Sequence, residues 1–252
     1  MDAGRQREAG AAKFFRVGTS KSALPRYNEP LICRLKDIGK TRVHTETAFM
    51  GHYTGPKARI NRRLGLEVYD SSGAMRAGRR RMNPPGVQPA RRRRPTDYGK
   101  ALVEKQKIRH YYGLSQKQLR RFFALANRLR GNKGENLLTL CERRMDNIVW
   151  RAGFVHTRAQ ARQAVAHGHF ILNDKRMDVP SHIVREGDAV QVRSRENLQK
   201  IYNKQVEEVD RPPAEFLAAE AKDLVVKVVR LPDIDDVTLP VNIHLVVELL
   251  SR

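Results

Sequence analysis

TRAQARQAVAHGHFILNDKRM, residues 157–177, is the stretch on which the fold turns. Thr157 and Gln160 stand three apart, the spacing at which a hydroxyl and an amide satisfy each other's backbone donors at the start of a helix. That predicts a short helix from Arg158 that ends before Gly168. Ala161, Ala164 and Val165 lie together and can pack closely against a neighbour. Arg158 and Arg162 are four apart, share one face, and read as two guanidiniums pointing outward together. FILN (170–173) and KRMDV (175–179) then read as two short strands about a turn at Asn173 and Asp174, residue types that tolerate the left-handed backbone a tight hairpin needs. Lys175 and Arg176 sit at the turn exit, and REGDAVQVR (185–193) adds another turn and strand. The result is a small helix pair on a small sheet, with one basic face.

Upstream of this module the periodicity is helical. A helix over 135–152 carries Leu137, Cys141, Met145 and Ile148 inward and leaves Arg143 and Arg144 outside, with Gly153 as its stop. SQKQLRRFFALANRLRG (115–131) opens on a Ser115–Gln118 capping box. It places Leu119, Phe122, Phe123 and Ala126 on one apolar stripe and ends at Gly131. Thr96 or Asp97 caps a preceding helix that runs to about Tyr112 and is decorated by Lys100, Lys105, Lys107 and Arg109. Before it, PARRRRPTDYG (89–99) sets Arg91, Arg92, Arg93 and Arg94 between two prolines, a repulsive block that reads as a solvated loop unless a polyanion faces it. A Gly- and Pro-rich loop holds Arg79, Arg80 and Arg81. GPKARINRRLG (55–65) puts Lys57, Arg59, Arg62 and Arg63 in one helical stretch closed by Gly65. Residues 1–50 lack periodicity and read as a flexible extension. Met50 is a second candidate start, and the acidic residues before it count against an organelle-targeting segment.

The totals agree with a polyanion partner. The chain of 252 residues carries 49 Lys and Arg against 27 Asp and Glu, a net charge of +22, with a pI near 10.6. A surplus of that size speaks to partners rather than to fold, and nucleic acid is the usual one. Lys57 to Arg109 hold 16 basic and 4 acidic residues, whereas Lys204 to Arg252 hold 6 and 10. The polyanion-facing work is therefore assigned to the first half and the middle, and the C-terminal end to packing or protein contact. Aromatics make up 6%, too few for a protein that stacks unstructured single strands. No apolar run reaches the length of a membrane span, so no membrane partner is expected. Cys33 and Cys141 form no disulfide framework, which fits a reducing, cytoplasmic setting. No signal-peptide pattern is present.

Several segments carry a family resemblance. RRMDNIVWRAGF, TRAQARQAVAHGHFILNDKR and VREGDAVQVR look like the module shared by ribosomal small-subunit protein four and some RNA-modifying enzymes. HYTGPKAR, DYGKALVEKQKIRHYYGLSQKQLRRFF, GNKGENLL, VVRLP and VNIHLVVELLSR resemble the ribosomal small-subunit protein four family itself, in order, from His52 to Arg252. The resemblance implies an α+β protein: a mainly helical first domain, an inserted helix-pair-on-sheet RNA-binding module, and short C-terminal strands and a helix. The boundaries are a 1–50 extension, a helical domain of 51–141 plus 197–252, and a module of 142–196. It also implies direct binding of small-subunit ribosomal RNA, early nucleation of the subunit body and a part in translational accuracy where the messenger enters. Neighbouring small-subunit proteins, protein five above all, are the implied partners, with messenger RNA as a further candidate ligand. In that family the segments matching Lys57–Arg63, Arg91–Arg109 and Arg158 with Arg162 lie on RNA. Three departures stand out. PGVQPA replaces a common PGxHG, Asn173-Asp174 replaces Asn-Gly, and residues 53–85 lack the cysteines of a zinc site found in some relatives.

Other readings find less support in the letters. There is no P-loop or GxSxG, and GNKG is too short for a nucleotide fingerprint, so neither an enzyme nor a cofactor is expected. His167 and His169 have no third ligand at zinc spacing, and no metal is assigned. Glu207 and Glu208 read as a solvated helix face. The strongest alternative is a free-standing RNA-binding translational regulator.

Overall fold

The computed structural model describes residues 53–81, 83–87, 94–209, 211–220 and 224–251, all within the unit Phe49–Arg252. The extension read at 1–50 and the arginines Arg91, Arg92 and Arg93 lie outside the described residues.

Helix α1 (Lys57–Leu64) follows Pro56 and stops at Gly65, whose φ of 64° turns the chain so that the Leu66 N–H reaches the Asn61 carbonyl at 3.3 Å. Asn61 then ties the returning chain down, donating to the Tyr69 carbonyl at 3.2 Å and accepting from its N–H at 3.1 Å. Helix α2 (Ser72–Arg80) occupies ground read from the sequence as loop. Gly73 and Gly78 lower its helix propensity. Packing against α1 with Ala74 buried supplies the compensation. Helix α3 (Asp97–Tyr111) is capped by Thr96, whose hydroxyl accepts from Gly99 N–H. Helix α4 (Gln116–Ala126) has both hydrogen bonds of the Ser115–Gln118 capping box. It ends at Ala126 rather than Gly131, because the apolar stripe that holds it on the core runs out there.

The single helix expected over 135–152 is two. Helix α5 (Lys133–Glu142) starts from an Asn132 cap, and helix α6 (Met145–Arg151) follows. Between them Arg144 is extended (φ −68°, ψ 140°) and bridges to Ile183, while Met145 N–H donates to the His182 carbonyl at 2.8 Å. A tertiary strand-like contact has displaced helical hydrogen bonds. Helix α7 (Arg158–Ala166) is capped by Thr157, which accepts from Gln160 N–H. The Gln160 amide accepts from His156 rather than from Thr157, so only half of the predicted box forms.

Strands β1 (Phe170–Leu172) and β2 (Lys175–Met177) form the predicted hairpin, with Asn173 and Asp174 at φ 46° and 64°. Strand β3 (Ala189–Val192), helix α8 (Glu196–Glu208), strands β4 (Leu217–Glu220) and β5 (Val225–Val228), and helix α9 (Ile243–Ser251) complete the order. The sheet runs β2-β1-β3-β5-β4, antiparallel at every pairing, with Phe170 opposite Val192 and Val190 opposite Val226. The C-terminal strands, which the sequence boundaries group with the helical domain, extend the sheet of the 142–196 module. The observed mixture of helices and one small antiparallel sheet is α+β.

Two cores result. Ile108, Leu119, Phe122, Leu137, Cys141 and Val246 anchor the helical one. Ile148, Val165, Phe170, Val190, Phe216 and Val226 anchor the sheet side. Burying each such side chain contributes about 1.5–3 kcal/mol relative to exposure. Helices α5 and α9 approach so closely at Gly134 that a Cβ there would overlap the Ile243 methyl.

Candidate nucleic-acid interface

The predicted site residues fall into three groups. The first is exposed: Arg59 and Arg63 on α1, Arg79, Arg80 and Arg81 at the end of α2, Arg94 before α3, and Lys175 and Arg176 on β2. None forms an ion pair with another described residue. Arg62 and Arg63 close α1, and Arg79 and Arg80 close α2, where the helix carbonyl ends favour positive charge.

The second group is partly committed. Arg62 fastens the following loop, with Nε donating to the Asn83 carbonyl at 2.7 Å. Lys57 lies over the Tyr69 ring. Lys100 pairs with Asp97 at 2.9 Å and Lys107 with Glu104 at 2.7 Å. Arg109 donates to Gln106 and to the Leu114 carbonyl, and Arg143 to the Val184 carbonyl at 3.0 Å. Lys105 has no anionic partner among the described residues. Burial, then Arg120 and then Arg109, hold its ammonium below the usual lysine range. Burial together with Arg109 and Arg63 likewise pushes the His110 imidazole down to about 4. Charges from α1, α3 and α4 therefore act on one another, while no interaction among the described residues links Lys175 and Arg176 to that patch.

The third group corrects the sequence reading. Arg144, placed outside by helical spacing, is 0% exposed. The break between α5 and α6 turns it inward, where Nε and NH2 grip Asp146 at 3.0 and 2.7 Å. Arg158 and Arg162, read as pointing outward, face the seam between the two cores. The Arg158 guanidinium stacks 3.4 Å from the Trp150 ring centre and 3.6 Å from that of Tyr111, and its Nε donates to Asn147. Arg162 donates to the Gly113 carbonyl at 3.2 Å and lies 3.6 Å from Asp146. Glu142, which is fully buried nearby, accepts from Tyr112, Asn147 and Arg151. The spacing rule put both arginines on one face correctly; that face meets protein. These contacts engage each guanidinium within the fold, although Arg144 NH1, Arg158 NH2 and Arg162 Nε keep no hydrogen-bond partner among the described residues.

Sequence reasoning also passed over a cationic stripe. Lys117, Arg120, Arg121 and Arg128 are exposed along α4 and its exit. Their offsets of three, four and eleven place them on one side, and α4 contains no acidic residue. The signal is present in the letters, as cations on the side of the helix away from the apolar stripe of Leu119, Phe122, Phe123 and Ala126. Among the described residues no group of three or more His, Cys, Asp or Glu is placed to hold a metal, and no helix is long and apolar enough to cross a membrane.

Residues 52–142 match the family described as Ribosomal protein S4/S9 N-terminal domain, and residues 143–190 match the S4 domain. Small ribosomal subunit protein uS4 of Rhodopirellula baltica is 49% identical over 203 residues, spanning 81% of this chain and 100% of that protein. The chain belongs to the uS4 family. The uS4 protein of Desulfitobacterium hafniense is 40% identical over 208 residues, and uS4A of Symbiobacterium thermophilum 40% over 207, each again covering 81% of this chain and all of the relative. These relatives are named as proteins of the small ribosomal subunit, which are not enzymes.

Proposed function

We propose that this uS4 chain is a structural protein of the small ribosomal subunit that binds the subunit's RNA directly. It nucleates assembly of the subunit body and contributes to accuracy where the messenger enters, beside neighbouring proteins that include protein five. The observation that carries the reading is a sorting of cations. Arg59, Arg63, Arg79, Arg80, Arg81, Arg94, Lys175 and Arg176 stand exposed without carboxylate partners, whereas Arg144, Arg158 and Arg162 are consumed inside the fold. Exposed arginines without carboxylate partners suit a folded RNA, read through phosphates and shape. Arg91, Arg92 and Arg93, outside the described residues, are assigned the same role on the strength of the family resemblance. Messenger RNA is the further ligand such a surface would take.

Co-sedimentation tests the reading. The protein is expected to travel with small subunits in high-magnesium buffer and to protect a bounded set of ribosomal nucleotides when reconstituted. Its recovery wholly in the soluble fraction would favour the free-standing translational regulator instead.

A further inference from the structure

The two histidines at the end of α7 lack the third ligand of a metal site, yet they are not idle. His167 and His169 flank Gly168, with ring centres 5.8 Å apart. Arg176 of β2 lies so close over Gly168 that a Cβ there would collide with its guanidinium. The His169 backbone carbonyl accepts from Arg193 at 2.8 Å, which brings the end of β3 alongside. From α8, the Tyr202 hydroxyl meets His169 Nδ1 at 2.9 Å. Arg195, the residue preceding α8, acts on His169 electrostatically, and no carboxylate is among the groups that do so. The groups that act on His169 are thus His167 and Arg195, each a cation or a potential one, and Arg176 lies over the glycine between the two histidines. His167, Arg176 and Arg195 are exposed, and His169 is half-buried.

We propose that the His167–Gly168–His169 turn, together with Arg176 and Arg195, is a binding site for an RNA phosphate, and that filling it draws a proton onto His169. The inference rests on the RNA-binding reading above and adds a specific, proton-linked contact to it. In the free protein burial, then His167 and Arg195, hold the His169 imidazole below the ordinary histidine range. A phosphate oxygen between the rings and Arg176 offsets the repulsion from His167 and Arg195, because an anion favours the charged imidazolium. The geometry suits that change. Tyr202 keeps its proton, since burial pushes its phenol up to about 12. Its oxygen accepts from Nδ1–H once His169 is charged, which leaves Nε2–H to donate to phosphate. Gly168 contributes by lacking a side chain. Its φ of 69° and the adjacent guanidinium leave no room for a Cβ, so Arg176 can lie flat against the turn.

The sign of the linkage follows. Proton uptake on binding makes affinity rise as pH falls through the interval between the bound and free pKa values. The test is binding of the full chain to small-subunit ribosomal RNA at constant salt between pH 8 and pH 6, with melting temperature recorded alongside. Wild type should bind more tightly at pH 6 than at pH 8, by about threefold or more, the direction that proton uptake on binding requires. His169→Gln should erase most of that gain. Arg176→Gln should weaken binding at both ends and shrink the gain, while His156→Gln, on the exposed side beside Glu208, should keep it. Salt-sensitive binding by wild type with no pH dependence overturns the site and leaves the RNA-binding reading intact. So does a full pH response in folded His169→Gln. Absence of RNA binding at either pH removes both together.

Discussion

Glu142 accepts hydrogen bonds from Tyr112, Asn147 and Arg151 at distances of 2.6 to 3.1 Å, with no exposure to water. A carboxylate in that position holds three segments: the end of α3, α6, and through Arg151 the Asp236 carbonyl ahead of α9. Removing it strands a buried guanidinium, a kind of loss that costs about 3–5 kcal/mol. Glu142→Ala should therefore lower the urea-unfolding free energy by about that amount while leaving the exposed cations in place. Asp236 makes a second test at this scale. Burial pulls its carboxyl up, but hydrogen bonds from Arg230 and the Asp233 backbone, with the Arg230 charge, outweigh that and hold it below the ordinary range. A lowered folded-state pKa adds stability that is present above the unfolded pKa and lost as pH falls through the folded one. Melting temperature should therefore fall in acid less steeply for Asp236→Asn than for wild type, over pH values below about 4.

Among the elements, glycines separate packing from propensity. Gly134→Ala drives a methyl into Ile243 and should destabilise by about 1–3 kcal/mol as α5 and α9 are forced apart. Gly78 in α2 has open space around its Cβ position. Gly78→Ala should instead stabilise by about 0.5–1 kcal/mol, read by thermal melting. At the hairpin, Asp174 holds φ 64° without being glycine. Asp174→Gly should relieve that strain by up to about 1 kcal/mol without disturbing Asn173, whose side chain ties the turn to Asp188 and Ala189. These elements also show what the letters could carry. Caps at Thr96, Ser115 and Thr157, the stop at Gly65 and the Asn173–Asp174 turn rest on local chemistry, and all are visible in sequence. The break at Arg144 depends on Ile183 and His182, nearly forty residues on, and α2 depends on Ala74 finding α1. Neither dependence leaves a local mark.

For the molecule as a whole, the same limit applies to charge. Sequence locates the arginines but not their partners, so Arg59 and Arg158 look alike until one is exposed and the other lies between Trp150 and Tyr111. Helical spacing gave the shared face of Arg158 and Arg162; only the second core, assembled from strands out to Val228, reveals that this face is covered. The family resemblance reached the fold and the ribosomal setting correctly. Division of labour among the cations had to come from three dimensions. Its central claim is that exposed, unpaired arginines carry RNA affinity, and buried ones carry the fold. The salt dependence of binding to small-subunit ribosomal RNA tests it most directly. The slope of log affinity against log salt should be steeper than about −4, and near −7 if about eight phosphates are neutralised. Replacing Arg59, Arg63, Arg79, Arg80 and Arg81 by glutamine should flatten it by roughly 0.9 per lost contact at unchanged melting temperature. A flat wild-type slope, or one that those five substitutions leave unaltered, would contradict the account.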